Sequence, residues 1–130
     1  MLTFVGLHVQ TKPKLDPCEP TASSEVYRRL FCQIYIMDKV IATFVGRPPL
    51  LAWKYCTTPL PLDLDDEQLL SKSADLKQTF QHLDRYGWNK RPQLRASTIL
   101  RARTMIAIAR EEILEIALGR AEFYTCDSIM

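Results

Sequence analysis

Apolar residues recur at helical spacing over the stretch that follows Ser24. Successive members lie four, four, three, four and three residues apart, which predicts one apolar stripe facing a core along a helix over about residues 24–45. Ser23 or Ser24 can cap its first amides, and Glu25 complements the positive end of the helix dipole. Gly46 ends the helix and Pro48 forbids its continuation. The stripe consists of Val26, Leu30, Ile34, Met37, Ile41 and Phe44.

A second apolar stripe predicts another long helix over about residues 98–118, starting near Ser97 or Thr98. Its steps of three, four, three, four and three residues favour near-antiparallel packing against the first helix, with a coiled-coil seam as the other interpretation. The sequence therefore predicts an all-α fold, a helical bundle built on two long helices. The stripe consists of Ile99, Ala102, Ile106, Ala109, Ile113 and Ile116.

The connection between the two helices is rich in proline. Residues 47–65 contain four prolines, which predicts an extended segment crossing the surface of the helices. Asp65 can cap a short helix over 66–70, a weaker helix is predicted over 73–83, and Trp88 can anchor a turn over 86–89. Residues 1–8 are predicted to end a preceding helix, residues 9–23 to form a loop, and residues 120–130 to form a tail.

Composition restricts the possible functions without identifying one. A chain of 130 residues with 47% hydrophobic and 25% charged residues predicts one globular core. The net charge of +2 is too small to attract nucleic acid or an anionic membrane through the field of the whole molecule. The longest apolar run, residues 30–45, is interrupted by Gln33, Asp38 and Lys39, so no membrane span is predicted.

Motifs for catalysis or metal binding are absent from the sequence. The four cysteines are scattered and form no Cys-x-x-Cys pair, so we expect reduced thiols and no metal or other cofactor. No nucleophile elbow, phosphate loop, dinucleotide motif or zinc-protease motif occurs, and no catalytic residue is predicted. The acidic cluster of Asp63, Asp65, Asp66 and Glu67 lacks the glycine and the final glutamate of a calcium loop. We interpret it as helix capping and surface solvation, and we predict that the protein is not an enzyme.

Basic residues are concentrated between Arg85 and Arg110. This stretch contains seven arginines and lysines and no acidic residue. A phosphate-binding strip is one interpretation. We favour the other, in which the three arginines on the predicted helix pair with the acids of residues 63–67 or cover apolar surface with their stems.

Four segments occur in an order that resembles the fungus-specific transcription factor domain, the all-helical middle region of fungal zinc-cluster regulators. They are EVYRRLFCQIYIMDKVIATFVGRPPLL (25–51), LPLDLDDEQLL (60–70), GWN (87–89) and LRARTMIAIAREEILEIALG (100–119). The resemblance covers roughly residues 4–119 and implies a nuclear role in transcription regulation. In the family, DNA is contacted by a separate six-cysteine zinc cluster. Four scattered cysteines cannot supply that cluster, so zinc and sequence-specific DNA binding are not carried over.

The resemblance also marks signature positions, for which we expect structural roles. Gly46 should supply a left-handed cap, Arg47 should reach helix carbonyls or a carboxylate, and the prolines should stiffen the crossing. The positions are Arg28, Arg29, Asp38, Gly46, Arg47, Pro48 and Pro49.

The family domain has further helices, so the resemblance implies that residues 24–119 are a partial domain and that the chain is a truncated product. We then expect an exposed apolar patch that self-associates or binds another transcription-factor or regulatory protein. The alternative function is a small-molecule sensor, with an apolar effector held between the long helices near Cys32, Tyr35 and Met105. An enzyme on a helical scaffold is a third, disfavoured hypothesis.

Overall fold

The computed structural model describes residues 21–71 and 78–119. Its long helices are α1 (Ala22–Val45) and α3 (Ala96–Leu118), and a short helix α2 (Asp66–Leu70) lies between them. Trp53–Tyr55 form a single 3-10 turn, and β-structure within the described residues is limited to one isolated bridge between Leu83 and Asn89. The predicted all-α fold is confirmed. The segments predicted over 1–8 and 120–130 lie outside the described residues, as do residues 9–20 of the predicted loop and residues 73–77 of the weaker predicted helix.

Helix α1 begins two residues earlier than the sequence predicts. Thr21 is the capping residue, and its hydroxyl accepts the amide N–H of Ser24 at 3.2 Å. The Ser24 hydroxyl in turn accepts the N–H of Thr21 at 3.0 Å, which completes a reciprocal capping box. At the other end, Gly46 adopts φ 67° and donates its N–H to the carbonyl of Ala42, as expected of a left-handed cap.

The face of α1 that packs in the core is not the predicted one. The predicted stripe is largely exposed, with Met37 54% and Phe44 86% accessible. The buried residues lie on the opposite side of the helix, because residues three and four apart share a face and the two sets are offset by about half a turn. This inner face consists of Glu25, Phe31, Cys32, Tyr35, Ile36, Lys39 and Ala42.

The packed face of helix α3 is also opposite to the predicted one. Its predicted stripe is exposed, and Ile106, Ile113 and Ile116 are each at least 60% accessible. The buried face repeats at the same three- and four-residue steps as the predicted one, so periodicity alone could not separate the two faces. This inner face consists of Ser97, Leu100, Arg101, Thr104, Ala107, Glu111 and Leu114.

The two long helices run in the same direction, so the predicted near-antiparallel packing is wrong. Cys32 is hydrogen-bonded to Thr104, and one turn further along α1 the hydroxyl of Tyr35 donates to Glu111 at 2.5 Å. Contacts therefore advance together along both helices. The long connection over residues 46–95 makes this direction possible, because it returns the chain to the starting end of α1.

Aromatic and aliphatic side chains from both helices and from the crossing form the core. Phe31, Tyr35 and Trp53 form a cluster in which the rings of Tyr35 and Trp53 meet edge to face, with centroids 5.3 Å apart. Leu51 is also buried here, and each such side chain contributes about 1.5–3 kcal/mol to stability. The crossing is thus part of the core.

Candidate functional site

Residues 47–65, which we call the crossing segment, lie between α1 and α3 and are extended except for the 3-10 turn at Trp53–Tyr55. In the described part of the chain no strand pairs with this segment, and a buried amide or carbonyl without a partner costs free energy. Side chains of α1 and α3 satisfy these groups instead. Asp38 accepts from Leu50 and Leu51, Lys39 donates to Leu51, Glu111 accepts from Trp53, Arg101 donates to Pro61, Glu25 accepts from Leu62, and Arg29 and Ser97 donate to Leu64.

One group of these contacts surrounds a buried ion pair. Lys39 Nζ lies 3.1 Å from Glu111 Oε2 and donates to the Leu51 carbonyl, and the Lys39 side chain is fully buried. Glu111 also accepts the N–H of Trp53 at 3.0 Å. Burial and the hydrogen bond to Glu111 raise the pKa of Tyr35. The pair therefore joins α1, α3 and the crossing segment at one point.

Asp38, one of the signature residues, holds the chain just after it leaves α1. Its carboxylate accepts the N–H groups of Leu50 and Leu51, both at 3.0 Å, and lies 2.9 Å from Lys39 Nζ. Burial opposes ionisation of Asp38, but the two amides and Lys39 outweigh it and keep its pKa below the ordinary value. Asp38 therefore fixes the turn after α1, which is compatible with the structural role expected of it.

A second group of contacts lies at the opposite end of the crossing segment. Arg101 donates to the carbonyls of Pro61 and Tyr86, and its guanidinium stacks over Trp88 at 4.4 Å from the ring centroid. Burial lowers the pKa of Arg101, and the nearby carboxylate of Asp63 opposes that shift. Trp88 thus anchors the turn as predicted, with a buried arginine as its partner.

The start of α1 completes this second group. Glu25 is fully buried, accepts the N–H of Leu62 at 2.8 Å, and pairs with Arg28 at 2.7 Å. Arg29 donates to the Leu64 carbonyl and forms an ion pair with Asp66. Arg29 therefore holds the start of α1 to the end of the crossing segment, whereas Arg28, the other signature residue here, pairs with Glu25 of the same helix.

The acidic cluster connects the crossing segment to the start of α3. This role goes beyond the helix capping and surface solvation predicted from the sequence. Asp63 is buried and accepts from the hydroxyls of Ser97 and Thr98 at 3.0 and 2.6 Å, and so supports the first turn of α3 from a distance in sequence. Asp65 is the capping residue of α2, as predicted, and pairs with Arg95 at 3.0 Å. The acidic cluster thus pairs with Arg95, which precedes the three helix arginines for which pairing was predicted.

The remaining signature positions form the corner after α1. The Arg47 N–H shares the Ala42 carbonyl with the Gly46 N–H, at 3.3 and 3.0 Å. Arg47 thus reaches the helix through its backbone, and its side chain is exposed, as is Pro48. Pro49 is half-buried. This geometry is compatible with the structural role expected of the corner.

The three residues predicted to line an effector pocket occupy different environments. Cys32 and Tyr35 are fully buried in the core, where Tyr35 is occupied by Glu111. Burial raises the pKa of the Cys32 thiol, and its hydrogen bond with Thr104 opposes that shift. Met105 is 48% exposed on α3. The structure therefore places Met105 apart from the two core residues.

Sequence reasoning missed the buried charges Glu25, Lys39, Arg101 and Glu111. A signal was available in their spacing, because Glu25, Cys32 and Lys39 lie seven residues apart, and so do Thr104 and Glu111. A charged residue that repeats at heptad spacing with a core residue lies on the same face as that residue.

Neither a membrane-spanning helix nor a metal site is found in the described ranges. None of the described helices combines the length and the apolar character that crossing a bilayer requires. Over residues 21–71 and 78–119, no three histidine, cysteine, aspartate or glutamate side chains are grouped to hold a metal ion. Cys32 and Cys56 are free thiols.

Comparison with known families gives one match. The model of the fungal-specific transcription factor domain matches residues 3–110, well over half of the chain. The matched range contains α1, the crossing segment, α2 and most of α3. No curated protein and no solved structure matches the chain.

Proposed function

The chain belongs to the family of the fungal-specific transcription factor domain, and we propose that it regulates transcription by binding other proteins, without contacting DNA itself. This family is a transcription factor class and not an enzyme class. Transcription factors act in the nucleus, and we propose that location for this chain. Its partners in this proposal are other transcription-factor or regulatory proteins.

The observation that carries the proposal is the exposure of apolar side chains on both long helices. Phe44 of α1 is 86% exposed, and Ile113 of α3 is 64% exposed. Exposed apolar stripes of this kind are typical of protein interaction sites. The inner faces already hold the crossing segment, so the outer faces are the surfaces left for a partner.

The placement of the basic residues supports the proposal that the chain does not contact DNA itself. Arg95 is paired with Asp65, and Arg101 is buried against carbonyls and Trp88. Both arginines are therefore unable to neutralise phosphates, and the strip that the sequence suggested is interrupted at its centre.

The cysteines do not fit the six-cysteine zinc cluster of the family. The sequence has four cysteines in all, and Cys32 is closed within the core. A thiolate must be accessible and grouped with others to bind zinc. We therefore derive no DNA contact through zinc for this chain and assign DNA binding to a separate domain.

A reporter experiment tests the proposal. The chain is fused between a heterologous DNA-binding domain and an activation domain, and reporter output is compared with that of the fusion without the chain. We expect the chain to change the output, and the double variant Phe44→Asp/Ile113→Asp to abolish the change. Lys90→Glu, also at an exposed position, is the matched control and should retain it.

Two further measurements complete the test. A fluorescent fusion of the chain should accumulate in the nucleus. In mobility-shift assays at physiological salt, the purified chain should not select any DNA sequence from a random pool. Sequence-specific retention of DNA by the chain alone, or a reporter output that the chain leaves unchanged, would contradict the proposal.

A further inference from the structure

The exposed stripe of α3 has the spacing of a coiled-coil seam. Its six members alternate at three and four residues, which places Ile99, Ile106 and Ile113 at a positions and Ala102, Ala109 and Ile116 at d positions of a heptad. All six are exposed, and the isoleucines are 47–64% accessible. We call this set the outer seam.

The outer seam points away from the core. Thr104 and Glu111 occupy the heptad positions directly opposite the seam, and both are buried against α1 and the crossing segment. The charged contacts on that side hold α3 in place, so the seam cannot rotate inward without breaking them.

Two arginines line one edge of the outer seam. Arg103 and Arg110 each follow a seam alanine and occupy successive e positions, about 10 Å apart along the helix. Among the ion pairs of residues 21–71 and 78–119, neither arginine takes part in one. The other edge carries Met105 and Glu112. Within the described residues, the basic edge thus lacks a counter-charge.

A second copy of the chain does not supply that counter-charge. In a parallel pair of α3 helices, the e positions face g positions of the other copy, so Arg110 meets Met105 and Arg103 meets Thr98. In an antiparallel pair, e positions face each other and Arg103 meets Arg110, which is repulsive. Neither arrangement brings a carboxylate to the basic edge.

We propose that the outer seam binds an amphipathic helix of another protein, parallel to α3, whose own seam is aliphatic and whose g positions facing Arg103 and Arg110 are Asp or Glu. The inference deepens the proposed function and rests on it, because it assigns a chemistry to the protein partner. The outer face of α1 carries no pair of exposed charges at heptad spacing, so the inference is confined to α3.

The experiment uses two labelled helical peptides of about three heptads. Both have isoleucine at a and leucine at d, and they differ only in having Glu or Lys at the g positions. Binding to the wild-type chain is measured by fluorescence anisotropy at low and high salt. We expect the Glu peptide to bind about tenfold more tightly at low salt, with the difference shrinking as salt screens the charges.

Charge reversal in the protein supplies the matched controls. Arg103→Glu/Arg110→Glu should reverse the preference to the Lys peptide, whereas Lys54→Glu/Lys90→Glu, the same charge change at exposed positions elsewhere, should leave it intact. Circular dichroism verifies that each variant is folded. The two peptides are compared on the wild-type chain, so the inference can be tested even if a variant fails to fold.

Three results would overturn the inference. They are equal affinity for the two peptides, no binding of either peptide to the folded chain, and a dimer by light scattering that excludes both peptides. If any of these occurs while the chain still changes reporter output, the partner chemistry is wrong and the proposed function survives. If reporter output is unchanged as well, both fail.

Discussion

The buried pair of Lys39 and Glu111 should resist replacement by apolar residues. Buried ion pairs can often be exchanged for hydrophobic residues at no cost, because removing both charges also removes their desolvation penalty. Here each partner also binds a backbone group, since Lys39 donates to the Leu51 carbonyl and Glu111 accepts the Trp53 N–H. We therefore expect Lys39→Met/Glu111→Leu to be strongly destabilising.

The magnitude follows from the groups left without partners. An unsatisfied buried donor or acceptor costs about 1–3 kcal/mol, so the Leu51 carbonyl and the Trp53 amide together should lower the free energy of unfolding by about 2–6 kcal/mol. The hydroxyl of Tyr35 also loses its acceptor. Domains of this size are stable by about 5–15 kcal/mol, so the loss is large enough to measure and in the upper range unfolds the chain.

Urea unfolding followed by far-ultraviolet circular dichroism measures this effect. Arg103→Met/Glu112→Leu is the matched control, because it removes the same two charge types from exposed positions of α3. It should change the midpoint little. A Lys39→Met/Glu111→Leu variant with the stability and m value of the wild type would refute the reasoning, because the backbone contacts would then contribute nothing.

Three further variants test individual contacts. Burial and Glu111 raise the pKa of Tyr35, so its contribution to the free energy of unfolding is complete below the ordinary pKa of 10.0 and is lost as the pH rises above it. Urea melts at pH 9 and pH 11 should therefore show a smaller loss of stability for Tyr35→Phe than for the wild type. The pKa of Asp38 is lowered, so its contribution is complete above 3.8 and is lost as the pH falls; the melting temperatures of the wild type and Asp38→Asn should differ at pH 7 and converge at pH 2, and an equal gap would contradict this. A methyl group at Gly87, at φ 84°, would lie 3.0 Å from Leu62 Cδ2, whereas one at Gly46 meets nothing within 4 Å, so Gly87→Ala should lower the melting temperature more than Gly46→Ala, which costs about 1–2 kcal/mol.

The existence and extent of the helices could be predicted from the sequence. Periodicity located both long helices to within two residues, and Gly46 marked the end of α1. These features depend on local interactions, which neighbouring residues determine. The prolines indicated the extended path of the crossing segment, but the prediction that it crosses the surface of the helices was wrong, because Leu51 and Leu64 are buried.

The packed faces could not be predicted, because each long helix has two faces with the same period. Pattern reasoning chose the more apolar face, which contains Ile106 and Phe44, yet both are exposed. The inner faces contain charged residues among the apolar ones because they must satisfy the backbone of a segment distant in sequence, and no local pattern shows where that segment lies. The direction of the two helices was missed for the same reason, since it depends on the path of the connection.

The signature residues and the pocket residues occupy different places in the structure. Arg29 and Asp38 hold the crossing segment to α1, which is compatible with the structural role expected of them. The pocket hypothesis assumed that Cys32 and Met105 lie at a common interface. It depended on the same choice of face, which moved Met105 outward when the helices packed by their other sides.

The charged residues of the inner faces also constrain the order in which this chain can fold. Two helices whose facing sides are apolar can pack together before the segment that connects them has folded. Here an early association of α1 with α3 would bury Lys39, Glu25 and Arg101 without the carbonyls and amides that they bind in the folded chain. The helix pair and the crossing segment must therefore form together, which gives a single cooperative transition dominated by contacts between residues far apart in the sequence, and correspondingly slow folding for so helical a chain.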